Sequence, residues 1–97
     1  MFERLSELER KYEDLSDKVN DPDIIANQQQ WRGYMKEYND ITPIIEKFRE
    51  YKNTKNAVDE ALELLEENHD DDFKQLIKEE LSENKEKIEV IKKELTL

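Results

Sequence analysis

Residues 31–65 read WRGYMKEYNDITPIIEKFREYKNTKNAVDEALELL, and the spacing of their apolar side chains decides the fold. Trp31, Tyr34, Tyr38, Ile41, Ile45 and Phe48 recur at steps of three and four, which places them on one face of an α-helix. The series continues at Tyr51, Lys55, Val58, Leu62 and Leu65. Pro43 lies inside this run. An interior proline lacks an amide hydrogen and crowds the carbonyl one turn back, at about 3 kcal/mol. The stripe nevertheless crosses it without losing phase, so the spacing predicts a single long helix kinked near Pro43. The alternative is a break with Thr42 as the N-cap of a further helix.

Upstream, Leu5, Leu8, Tyr12, Leu15 and Val19 form a second stripe, with Phe2 one turn earlier. Asn20-Asp21-Pro22 ends it, because proline disfavours helical geometry in the residue before it. Asp21 and Pro22 then suit an N-cap and first helical position, opening a short turn of helix over 22–26, after which Asn27 caps the long helix. Downstream, Asn68-His69-Asp70-Asp71-Asp72 is the next connection, with an aspartate as N-cap. A last helix carries Phe73, Ile77, Leu81, Asn84, Ile88, Ile91 and Leu95 on its stripe. Asn84 stands at a core-type position, where it either sets register or sits at the periphery. The expected fold is all-α: an elongated antiparallel bundle or coiled coil of three main helices. The first covers the early half of the long middle helix and the third covers its late half.

Composition agrees. The 97 residues amount to one domain at most; 43% are charged and only 35% hydrophobic. One glycine and two prolines are too few for the turns of a β-sandwich or barrel. The single glycine, Gly33, also rules out a glycine-rich phosphate loop, and in a helix it either admits a close neighbour or is drift. With no cysteine there is neither a disulfide framework nor a Cys-rich zinc site. No catalytic residue, cofactor or metal site is expected, and the chain is read as not an enzyme. The carboxylates follow the polar faces of helices, and acid–base work needs carboxylates in dissimilar, partly buried settings. Asp70-Asp71-Asp72 lacks the spacing of a calcium loop and reads as a helix start favoured by the macrodipole. His69 reads as an exposed loop residue, and Trp31, Tyr34 and Tyr38 as core rather than as a base-stacking platform.

The opening MFERLSELERK has no apolar core of a signal peptide, and no run approaches the ~18 apolar residues of a membrane span. A cytoplasmic protein without membrane contact is expected. Net charge is −10, the wrong sign for direct nucleic-acid binding. That charge is concentrated: residues 56–72 hold eight acids and no base, while the rest of the chain is nearly balanced. Asp59, Glu60, Glu63, Glu66, Glu67, Asp70, Asp71 and Asp72 thus form an acidic tip. Part of it lies at a helix C-terminus, where the dipole disfavours anions. Either the tip is offered to a basic partner, or Lys74 and Lys78 fold back and neutralise it.

Lys11 to Ser16, Asp21-Pro22, Lys36 to Tyr38, Pro43 to Ile45 and Arg49 to Lys52 together resemble the amino-terminal domain of the bacterial peptide chain release factor 1 family. That family typically shows a Lys/Arg-Tyr-Glu-x-Leu-Ser helix, an Asp-Pro turn, and a Lys-Glu-Tyr…Pro-Ile-x-Glu…Tyr-Arg-Glu-Tyr-Lys-type stretch. The resemblance covers essentially the whole chain and is sharpest over the first 55 residues. It implies translation termination at UAA or UAG stop codons, with the ribosome as partner of the full-length factor. It also implies a face toward the ribosomal GTPase-associated region or the class II release-factor GTPase. The family's two working motifs, a Pro-x-Thr codon-reading tripeptide and a Gly-Gly-Gln loop, do not occur in these 97 residues. Residues 1–97 are therefore expected to be the N-terminal helical domain of a longer factor, without its decoding and Gly-Gly-Gln domains. The competing reading is a free-standing coiled-coil adaptor. A tRNA-binding helical arm also suits the shape but not the charge.

Overall fold

The computed structural model describes residues 2–67 and 69–96. Among them there are four helices and no strand: α1 (Phe2–Val19), α2 (Pro22–Ile25), α3 (Gln28–Glu66) and α4 (Asp71–Leu95). The helix starts follow the expected side chains. The Asp21 carboxylate accepts the Asp23 amide at 2.9 Å, with Pro22 opening α2. Asn27 Oδ1 accepts the Gln30 amide at 3.3 Å, and Asp70 Oδ1 accepts the Phe73 amide at 2.8 Å. Each satisfies a donor that helix geometry leaves without an internal partner. At the end of α1, Asn20 Nδ2 donates to the Ser16 carbonyl at 2.7 Å.

α3 runs for 39 residues without interruption, so the chain crosses Pro43 and does not restart at Thr42. Thr42 keeps its hydroxyl inside the helix, donating to the Tyr38 carbonyl at 2.8 Å. The residues group into two compact units, 1–46 and 47–97, with the boundary inside α3.

In the first unit, α1 lies antiparallel to the early part of α3. Its contacts step backward along α3 as they step forward along α1. The Tyr12 ring stacks on Tyr38 with centroids 4.5 Å apart and planes 11° apart, and its hydroxyl is hydrogen-bonded to Thr42 at 3.3 Å. Lys11 pairs with Glu37, the Lys18 ammonium sits 5.0 Å from the centre of the Tyr34 ring, and Trp31 Nε1 donates to the Val19 carbonyl at 3.0 Å. Leu5, Tyr12 and Leu15 are buried as their stripe predicts, whereas Phe2 at its start is exposed. The aromatic trio of α3 is thus committed to contacts within the chain. Gly33 has open space where a Cβ would stand, which removes the close-neighbour explanation for it.

In the second unit, the late part of α3 pairs antiparallel with α4. Val58, Ala61, Ile77, Leu81 and Ile88 form one aliphatic cluster, flanked by Tyr51 and Leu65. Burying each large aliphatic side chain removes apolar surface from water and contributes roughly 1.5–3 kcal/mol. An ionic clasp adds to it: Lys47 Nζ lies 2.7 Å from Glu94 and 3.4 Å from Glu50, and Lys87 approaches Glu50 at 3.6 Å. Asn84 is half-buried.

Two corrections concern the stripes. Lys55 and Leu62 are exposed, and the inward positions are Thr54 and Ala61, one residue earlier in each case. Thr54 can be buried at little cost because its hydroxyl donates to the Glu50 carbonyl at 2.8 Å, while burying the Lys55 ammonium without a partner would be expensive. Phe73, expected inward, is 42% exposed. It belongs to the first turn of α4, ahead of the first buried position, Ile77.

Candidate interaction surface where α3 gives way to α4

The connection between α3 and α4 gathers the acidic residues that the sequence singles out. Asp59, Glu60, Glu63 and Glu66 ride the last turns of α3, Glu67 follows it, and Asp70, Asp71 and Asp72 open α4. All eight are exposed. On α3 their spacing of three, four and one keeps neighbouring carboxylates on adjoining parts of the helix surface. The last turn of α3 carries no basic residue, so the negative end of its dipole meets more negative charge. The first turn of α4 carries Asp71 and Asp72, where the dipole favours them.

The roles within this set are unequal. Asp70 is occupied by the fold, since its carboxylate caps α4. Glu67 lies 3.4 Å from His69 Nε2. The remaining six make no ion pair with a lysine or arginine among the described residues. Lys74 and Lys78, the two nearby cations that the sequence supplies, make no ion pair with these carboxylates among the described residues. Lys74 is half-buried on α4 and Lys78 is exposed. Asn68, part of the expected connection, lies outside the described residues.

His69 also departs from expectation. Its side chain is only 20% exposed, with the ring centroid 4.7 Å from that of Phe73 at a 58° tilt, and its buried Nε2 has no hydrogen-bond partner of good geometry. No local sequence signal marks this, because the contact depends on where His69 sits against the first turn of α4. Two exposed apolar residues flank the acids on α4, Phe73 and Leu76, the latter 63% exposed. Leu76 is not on the apolar stripe of α4. The available cue was an apolar residue one position before an inward isoleucine, hence off the buried face.

Among the described residues no group of three or more histidine, cysteine, aspartate or glutamate side chains is placed to hold a metal ion. No helix among the described residues is long and apolar enough to cross a membrane. What the surface can do chemically is attract cations and offer an apolar foothold.

Residues 8–97 match the PCRF domain family. The chain belongs to that family. Release factor relatives align with it from end to end. Peptide chain release factor 1 of Caldicellulosiruptor saccharolyticus is 47% identical over 97 residues, covering all of this chain and 27% of the relative. The factor of the same name from Alkaliphilus oremlandii is 43% identical over 98 residues, covering all of this chain and 28% of the relative, and that of Clostridioides difficile is 40% identical, with 27% of the relative covered. The chain thus spans about a quarter of the length of these proteins and corresponds to their N-terminal part. No solved structure matches it. Within this PCRF domain, the motif residues that signal the family sit mainly in the α1–α3 unit, and the acidic surface sits in the α3–α4 unit.

Proposed function

We propose that this PCRF domain is the N-terminal helical part of a release factor that directs translation termination in the cytoplasm at UAA and UAG codons. The observation that carries the reading is the end-to-end alignment with proteins named peptide chain release factor 1. In this reading the domain performs no chemistry of its own and is not an enzyme. It contributes contacts with the ribosome, on the side of the GTPase-associated region, or with the class II release-factor GTPase. The acidic residues Asp59, Glu60, Glu63, Glu66, Glu67, Asp71 and Asp72 form its contact surface, with Asp70 retained for capping α4. Charge of one sign, exposed and uncompensated, steers a basic partner toward encounter and raises the association rate more than the affinity.

The test is peptide release from ribosomes stalled at a UAA codon. This chain alone should release none. The same chain continuous with decoding and Gly-Gly-Gln domains should release peptide, and deletion of residues 1–97 from that factor should slow its binding more than its hydrolytic step. Release by the chain alone would contradict the reading, as would a full factor indifferent to the deletion.

A further inference from the structure

The first turns of α4 expose two large apolar side chains, Phe73 at 42% and Leu76 at 63%, one helical turn apart and hence on neighbouring parts of its surface. Water contact with such groups is unfavourable, and neither belongs to the aliphatic cluster formed by Ile77, Leu81 and Ile88. Phe73 is also held in place: its amide is bonded to the Asp70 carboxylate at 2.8 Å and its ring rests against His69. A pre-positioned aromatic loses little freedom on being covered, which favours an anchor role. On the Leu76 side of α4 the frame is anionic, because Asp72, Glu79 and Glu80 stand three or four residues from Leu76. Lys74 and Lys78, two residues away, lie on the far side of the helix. Asp71 and Asp72 precede Phe73, and Glu79 and Glu80 follow Leu76 within about one turn; all are exposed, and none pairs with a lysine or arginine among the described residues.

We infer that the Phe73–Leu76 face of α4 is a docking site for a basic protein segment that carries a large apolar side chain. Charge selects this occupant. The phosphates of a nucleic acid and the head groups of an anionic membrane are both repelled by the frame, and a second copy of the same face meets its own charge. A lysine- or arginine-rich helix instead pairs its cations with the carboxylates while its apolar residue covers Leu76 and the edge of Phe73. The inference rests on the contact surface proposed above and adds what it recognises: charge brings the partner in, and the apolar pair holds it.

The probe is a fluorescently labelled 14-residue amphipathic helix of lysine and leucine, with a second peptide in which every leucine is glutamine. Anisotropy titrations at low salt would use this chain, Leu76→Ser, and Asp71→Asn with Asp72→Asn. Leu76 is so exposed that its replacement leaves the fold intact, which circular dichroism checks. The expected result is binding of the leucine peptide that weakens about fivefold or more in Leu76→Ser and in the double variant. The glutamine peptide should bind as weakly to the wild type as the leucine peptide does to Leu76→Ser. Equal affinity of wild type and Leu76→Ser, equal affinity of both peptides, or Leu76-dependent dimerisation by sedimentation would each overturn the inference. No ribosome takes part, so failure here leaves the release-factor reading to its own assay.

Discussion

The unit of residues 1–46 adds ring stacking and directed hydrogen bonds to its buried Leu5, Leu15 and Ile45, whereas the unit of residues 47–97 closes on an aliphatic cluster, with Phe48 also buried, and an ionic clasp. The Tyr12–Tyr38 stack, the Tyr12–Thr42 bond and the Trp31–Val19 bond each need one residue type at one place. Val58, Ala61, Ile77, Leu81 and Ile88 need only suitable volume on the right face, and cores tolerate such exchanges well. This difference predicts that substitutions are tolerated less well in the first unit than in the second. Tyr12, Asp21, Pro22 and Tyr38 are recognisable because they are structural. The proposed contact surface lies instead among residues with few packing contacts in the fold, the exposed carboxylates with Phe73 and Leu76.

Truncation inside either unit should give the largest effects. Ile88→Ala removes a buried side chain from the aliphatic cluster and is expected to cost about 2–5 kcal/mol; Tyr12→Ala is expected to cost about 3 kcal/mol through lost ring burial and stacking. Hydrogen exchange distinguishes them: protection should fall first in residues 47–96 for Ile88→Ala and in residues 2–46 for Tyr12→Ala. Conservative replacement sharpens the contrast. Ile88→Val should cost about 1 kcal/mol, while Tyr38→Leu, which keeps bulk but loses the stack, should cost more. Matched losses would mean that the two units are built alike.

Caps come next in size. Asp70→Ala should destabilise by about 1 kcal/mol in chemical denaturation, since it orphans the Phe73 amide; Asp70→Asn should recover most of the loss, because capping needs an oxygen rather than a charge. Gly33→Ala should stabilise by about 1 kcal/mol, as the site is helical with open space around the new methyl.

The clasp gives the smallest effect, and a pH signature. Hydrogen bonding to Glu94 holds the Lys47 ammonium above its ordinary value of 10.5, with further help from Glu50. A folded-state value raised above the unfolded one adds stability that is present in full below pH 10.5 and disappears as pH rises through the folded value. The difference in denaturation midpoint between wild type and Lys47→Met should therefore hold constant from pH 7 to about 10 and shrink above that. Lys47 is half-exposed, so the effect is small and weakens with salt.

Much of this architecture is legible in sequence because helices announce themselves by period and punctuation. The α1 stripe, the Asp21-Pro22 start, the Asn27 and Asp70 caps and the inward Ile77, Leu81, Ile88 and Ile91 all follow from spacing and cap chemistry. Continuity through Pro43 was readable from the unbroken phase on either side. The late half of α3 was harder. Threonine and alanine do not look like core residues until a carbonyl partner and a facing helix are supplied, so Thr54 and Ala61 gave way to Lys55 and Leu62 in the sequence reading. The surface was half legible. Charge counting finds the eight acids, but the capping role of Asp70, the burial of His69 against Phe73 and the exposure of Leu76 depend on tertiary placement.

The most direct measurement of the central claim, that the acidic end of this PCRF domain steers docking, is stopped-flow association of the full-length factor with ribosomes across a salt series. Wild type and the double variant Glu63→Lys with Glu67→Lys are compared. Both residues are exposed, and positive charge suits the C-terminal end of α3, so folding should be unchanged or slightly improved. The account predicts slower association of the variant at low salt, with the two rates converging as salt shortens the screening length to ~10 Å at 0.1 M and further at higher salt. Equal rates at every salt concentration would contradict it.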